Sequence, residues 1–97
     1  MPEASPLSAE RVRCHLAIQG RVQGVGFLYY AAQQARALGL GGFVRNLANR
    51  LEAEVEGPRE VVLEFITRIR RGPAGAVVRA VEVQWVDPRG EEAFRIG

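Results

Sequence analysis

Gly20-Arg21-Val22-Gln23-Gly24-Val25-Gly26-Phe27-Leu28 joins two stretches of different hydrophobic period. Before it, Val12, Cys14, Leu16 and Ile18 alternate with or adjoin Arg11, Arg13, His15 and Gln19, the pattern of a strand with one buried face. After it, Phe27, Ala31, Ala35 and Leu38 recur at helical spacing, with Tyr30 and Gln34 beside them. The stretch between is a strand-to-helix loop. Gly20, Gly24 and Gly26 let its backbone turn N–H groups inward without Cβ clashes. The helix start that follows adds free N–H donors and the positive end of a dipole. Such an arrangement cradles an anion, most naturally a phosphate.

Downstream, Gly39, Gly41 and Gly42 end the first helix, and Phe43–Leu47 forms a second strand. Ala48-Asn49-Arg50 is a tight connection. Leu51, Ala53 and Val55 alternate with Glu52, Glu54 and Glu56 in a third strand. Gly57-Pro58 opens a second helix, with the proline suited to its first turn. Its stripe is Val62, Phe65, Ile66 and Ile69, and Gly72-Pro73 stops it. Glu60 and Glu64 lie early and Arg68, Arg70 and Arg71 late, complementing the dipole, with Glu64 and Arg68 spaced to pair. Val81, Val83 and Trp85 mark a fourth strand, Asp87-Pro88-Arg89-Gly90 a turn, and Phe94 and Ile96 a short fifth strand.

The order β-α-β-β-α-β, plus a terminal strand, is the ferredoxin-like, split βαβ arrangement of the α+β class. It predicts a mixed, largely antiparallel sheet with two helices on one face. Strands one and two run parallel, with strand three antiparallel between them. Arg11 and Arg13 then share the other face with Glu52, Glu54 and Glu56 as cross-strand neighbours of opposite charge. The parallel strands end at one sheet edge, about 10 Å apart, so Asn46 faces the glycine loop across a gap that holds a phosphate and a water. Its amide both donates to and accepts from such a water.

The chain has 97 residues, enough for one domain with a modest core. We read residues 1–10 as a flexible tail and 11–97 as a single domain. Hydrophobic residues at 47% and charged residues at 25% are ordinary for a globular protein, and a net charge of +2 is too small to point to nucleic acid. The lone Cys14 excludes an internal disulfide and argues against a cysteine metal site. No apolar run is long enough to span a bilayer, and the N-terminal decapeptide lacks a signal-peptide hydrophobic region, so the cytoplasm is the default compartment. His15 reads as a solvated side chain, Cys14 as a core thiol, Trp85 as core or edge packing, and Tyr29 and Tyr30 as helix packing in preference to the alternative of flanking an acyl pocket.

Gly20 to Phe27, together with Gly42-Phe43-Val44-Arg45-Asn46, resembles the two signature motifs of the acylphosphatase family. The resemblance implies a hydrolase that cleaves the carboxyl-phosphate bond of an acyl phosphate, giving carboxylate and phosphate, with no metal or organic cofactor. It implies that Gln23, Gly24, Val25, Gly26 and Phe27 form the phosphate cradle and that Asn46 positions the attacking water. It further implies a small-molecule partner, an acyl phosphate or inorganic phosphate, with no nucleic acid or membrane, and a monomer. The family has an arginine directly after the aromatic residue, where this chain has Leu28. No catalytic role carries over to Leu28. Arg21 and Arg45 match residues common in intact members, so neither is a recruited replacement.

Three function classes follow: a slow or crippled acylphosphatase, a non-catalytic phosphate-binding module on the same scaffold, and an RNA-binding domain of like topology. RNA-binding domains of this shape stack bases on aromatics of the central strands. Strand three here offers Glu52, Glu54 and Glu56 instead, which argues against RNA.

Overall fold

In the computed structural model, residues 10–97 are described. The chain order is β1 (Arg11–Arg21), α1 (Phe27–Ala37), β2 (Gly41–Asn46), β3 (Leu51–Pro58), α2 (Arg59–Arg71), β4 (Val77–Val86) and β5 (Phe94–Ile96). The sheet order is β4-β1-β3-β2-β5. β3 lies antiparallel between β1 and β2, β4 pairs antiparallel with β1, and β5 pairs parallel with β2. This is the expected ferredoxin-like fold. Helix α1 lies over β2 and β5, and α2 over β3, β1 and β4. No helix of the described residues is long and apolar enough to cross a membrane.

The core is built from the predicted faces. Cys14, Leu16 and Ile18 of β1, Val44 of β2, and Leu51, Ala53 and Val55 of β3 meet Phe27, Ala31 and Ala35 of α1 and Val62, Phe65, Ile66 and Ile69 of α2. Each large side chain buried this way contributes about 1.5–3 kcal/mol. Burial also pushes the Cys14 thiol up to about 12, which keeps it an inert core group.

Several boundaries differ from expectation: β2 starts two residues before Phe43, at Gly41, and ends at Asn46, one residue before Leu47. β1 continues past Ile18 to Arg21, and β4 begins at Val77, because the two run together beyond a bulge between Gln19 and Gly20. Arg79 is the unpaired residue of that bulge, so the alternation of β4 is broken in sequence although the strand is continuous. Gly20 permits the bulge: its φ is +135°, and a Cβ there would sit 2.1 Å from the Val77 carbonyl oxygen. β3 runs through Pro58, which caps α2 with extended ψ of 141° and does not form its first turn. Of the tail, residues 1–9 lie outside the described residues; the Glu10 carbonyl accepts from the Arg59 N–H at 3.2 Å.

The helix-free face is an ion-pair lattice. Arg13 pairs with Glu54 (2.6 Å) and Glu56 (2.9 Å), Arg11 with Glu56 (3.1 Å), and His15 lies 2.7 Å from Glu52. The expected open face is closed at its Arg13 end. Both Arg13 and Glu56 are fully buried, because the segment before β5 folds over them: the Arg89 and Gly90 N–H groups donate to Glu56, and Glu91 reaches Arg13. The acids on this face are therefore largely neutralised by neighbours. Trp85 on the edge strand is 46% exposed, with the Arg59 guanidinium over its ring, so it packs at the edge and not in the core.

Candidate functional site

At the edge where β1 and β2 both end, a cavity of about 250 Å³ is lined by Val22, Gln23, Gly24, Gly26, Phe27, Leu28, Tyr29 and Asn46. The topology thus unites the glycine loop, the residue after its aromatic, and the end of β2. Of the residues singled out from sequence, only Val25 does not line the cavity; it packs on the core. Gly24 and Gly26 both have φ near +76°, a left-handed conformation that costs an L side chain about 1–2 kcal/mol.

Gly26 is the N-cap of α1. It offers no side-chain cap, and the first turn of α1 contains no acidic residue. The first helical bond among these residues runs from the Tyr30 N–H to the Gly26 carbonyl (2.9 Å). Among the described residues, the turn, cap and side-chain hydrogen bonds engage none of the amides from Gln23 to Leu28. Unpaired amides and the positive dipole end therefore sit together beside the cavity. Among the described residues, its lining holds no charged side chain.

Leu28 is half-buried and packs against the core cluster, as a helix former on the first turn of α1. Neither Arg21 nor Arg45 lines the cavity. Arg45 pairs with Glu52 and lies over the Phe43 ring. Nothing in the lining supplies a guanidinium where Leu28 stands.

Two lining residues were not assigned to the site by sequence reasoning. Val22 has no polar side chain to signal it. Tyr29, expected to pack on the helix, is instead 69% exposed at the cavity mouth. Tyr30 does pack: its ring meets Phe27 edge-on at 5.8 Å, and its hydroxyl donates to the Arg68 carbonyl at 3.1 Å. The helical period separates these neighbours, since successive residues point about 100° apart.

A larger open concavity of about 620 Å³ lies on the helix-free face, bordered by His15, Gln19, Arg50, Glu82 and Gln84. Its lining mixes both charge signs. Of these two, the smaller cavity is the functional candidate because it joins a glycine loop, a helix N-terminus and the Asn46 amide.

The acylphosphatase family pattern matches residues 14–96. An acylphosphatase from Moorella thermoacetica is 55% identical over 86 residues, 88% of this chain and 92% of the relative. One from Anaeromyxobacter dehalogenans is 50% identical, over 91% and 97% of the two chains. The crystal structure of acylphosphatase from Bacillus subtilis superposes with a TM-score of 0.86 at 30% identity, covering 89% of this chain and 98% of that one. With loop, fold and near-complete coverage in agreement, the chain belongs to the acylphosphatase family.

Proposed function

We propose that this protein hydrolyses acyl phosphates with strongly reduced turnover, because its phosphate cradle is intact and its arginine position is not. The observation that carries the reading is one cavity lined by Gln23, Gly24, Gly26, Phe27, Leu28 and Asn46 and, among the described residues, by no charged side chain. In this reading the loop amides and the α1 dipole hold the phosphoryl oxygens. Asn46 holds a water, accepting through Oδ1 and donating through Nδ2. The water oxygen attacks phosphorus, the bond from phosphorus to the acyl oxygen breaks, and the carboxylate leaves with the electron pair. The water's protons pass to phosphate and solvent. Backbone groups do the binding and water does the attack.

A guanidinium would add bidentate, charge-assisted bonds to the transferring group. Loss of one preorganised donor costs about 10²–10³ in rate, and phosphoryl-transfer arginines are worth about 10³–10⁵. The backbone cradle remains, so anion binding outlasts turnover. The uncharged lining also favours the second reading, a phosphate-binding module without catalysis. Phosphate release from benzoyl phosphate, measured beside phosphate binding, separates the two.

Leu28→Arg is expected to raise benzoyl phosphate hydrolysis at least about 100-fold, and Asn46→Ala in that background to abolish most of the gain. Equal rates for the parent and Leu28→Arg would overturn this account of position 28.

A further inference from the structure

The Gln23 side chain leaves the loop and crosses to the far side of the site. Its Nε2 donates to the Leu47 carbonyl at 2.6 Å and to the Arg50 carbonyl at 3.2 Å. Those two residues are the ends of the turn between β2 and β3, which closes on itself through the Leu47 N–H to the Arg50 carbonyl at 2.8 Å. One amide nitrogen therefore bridges both carbonyls at the mouth of the turn. Asn46, the last residue of β2, immediately precedes Leu47.

We infer that Gln23 is a positioning residue: its side chain ties the phosphate-binding loop to the β2–β3 turn and so holds Asn46 at the distance the attacking water needs. The inference rests on the role proposed above for Asn46. The two halves of the site stand on β1 and β2, which do not touch because β3 lies between them. Their relative placement would otherwise pass through two strand ladders and a turn exposed at Ala48 and Asn49. The Gln23 bridge replaces that long path with one direct contact. It spends the side chain on backbone carbonyls, leaving phosphate contact at this position to the main chain. A misplacement of about 1 Å at a reacting group costs up to about 100-fold in rate, so a latch that ties loop to turn acts on turnover and not on anion affinity.

The test uses the Leu28→Arg protein, with benzoyl phosphate as substrate and inorganic phosphate as competitive ligand. Gln23→Ala is expected to lower kcat about 10- to 100-fold while phosphate affinity changes by less than about twofold. Asn46→Ala, costly in the Leu28→Arg protein, is expected to cost at most a few-fold once Gln23 is alanine, because the amide has already lost its placement. An unchanged kcat overturns the inference. So does a parallel loss of kcat and phosphate affinity, or an Asn46→Ala penalty that is undiminished. Should Asn46→Ala cost nothing in either background, the functional reading of Asn46 fails instead. The latch is then judged by NMR in the Leu28 chain: Gln23→Ala is expected to shift the Asn46 side-chain amide resonances and speed exchange at Leu47, leaving Gly24 and Gly26 in place. Unmoved Asn46 resonances overturn it.

Discussion

Leu28 is one residue in a candidate site whose other proposed groups are the loop's main-chain amides and the Asn46 side chain. In the proposed reading, the isobutyl group of Leu28 leaves the loop amides untouched but supplies no charge where the resemblance implies a guanidinium. The glycines carry the rest. Gly26 has φ +76° at the entry to α1, with open space where a Cβ would project. Gly26→Ala is therefore expected to cost about 1–2 kcal/mol from backbone strain alone, read as a lower urea midpoint, and to weaken phosphate binding as the loop relaxes. An unchanged midpoint would mean that the loop adopts another path. The sequence disclosed Leu28 because a motif makes a misfit visible. It placed Asn46 beside the loop because a motif marks it and the strand order brings the end of β2 there. It did not disclose the bridge from Gln23, whose partners are carbonyls that every residue possesses. Tyr29 was misplaced because Tyr29 and Tyr30 have the same chemistry, and only the helix rotation tells the packed ring from the exposed one.

Each element was legible where its period was regular. The stripes of α1 and α2 and the alternations of β1 and β3 became the core. Periodicity failed where a local irregularity reset it: the bulge opposite Gly20 hid the first four residues of β4, Val77 to Ala80. Pro58 was assigned to the helix on φ alone; its ψ of 141° continues the strand instead. β5 is only three residues long, yet the Arg36 guanidinium donates twice to the Phe94 carbonyl, pinning it beside β2 beneath α1. Arg36→Ala is expected to loosen this edge, seen as faster exchange of the Gly97 amide, which donates to Val44 across the β2–β5 pair (3.0 Å). Unchanged protection at Gly97 would show that the strand pairing alone suffices.

Across the whole molecule, the candidate anion site and the buried Arg13–Glu56 cluster occupy opposite ends of the sheet. The pairing of Arg13 with the β3 glutamates followed from strand parity; their burial did not, because the cover comes from residues 89–91, which the sequence marks only as the end of a turn and the residue after it. Burial alone would push the Glu56 carboxyl up. The Arg89 N–H, the Arg13 guanidinium, the Gly90 N–H and the Arg11 guanidinium outweigh it and hold Glu56 at about 2 against an ordinary 4.5. A carboxylate depressed by folding stabilises above its unfolded value and loses that stabilisation as pH falls through its folded one. Stability is therefore expected to drop by about 3 kcal/mol between pH 4.5 and about 2 from this group. Glu52, lowered chiefly by His15, and Glu91, lowered chiefly by Arg95, add in the same direction. Urea unfolding at stepped pH checks this: Glu56→Gln should be less stable at neutral pH and should flatten the acid decline, whereas parallel curves would contradict the assignment. At the other end of the sheet, the account stands on amides recognising a tetrahedral oxyanion without help from an arginine. The direct measurement is a phosphate titration of the isotopically labelled Leu28 protein, following backbone amides by NMR. Saturable shifts centred on Gln23, Gly24, Val25, Gly26 and Phe27, with Asn46 responding, are predicted; amides there that stay still while phosphate rises would contradict it.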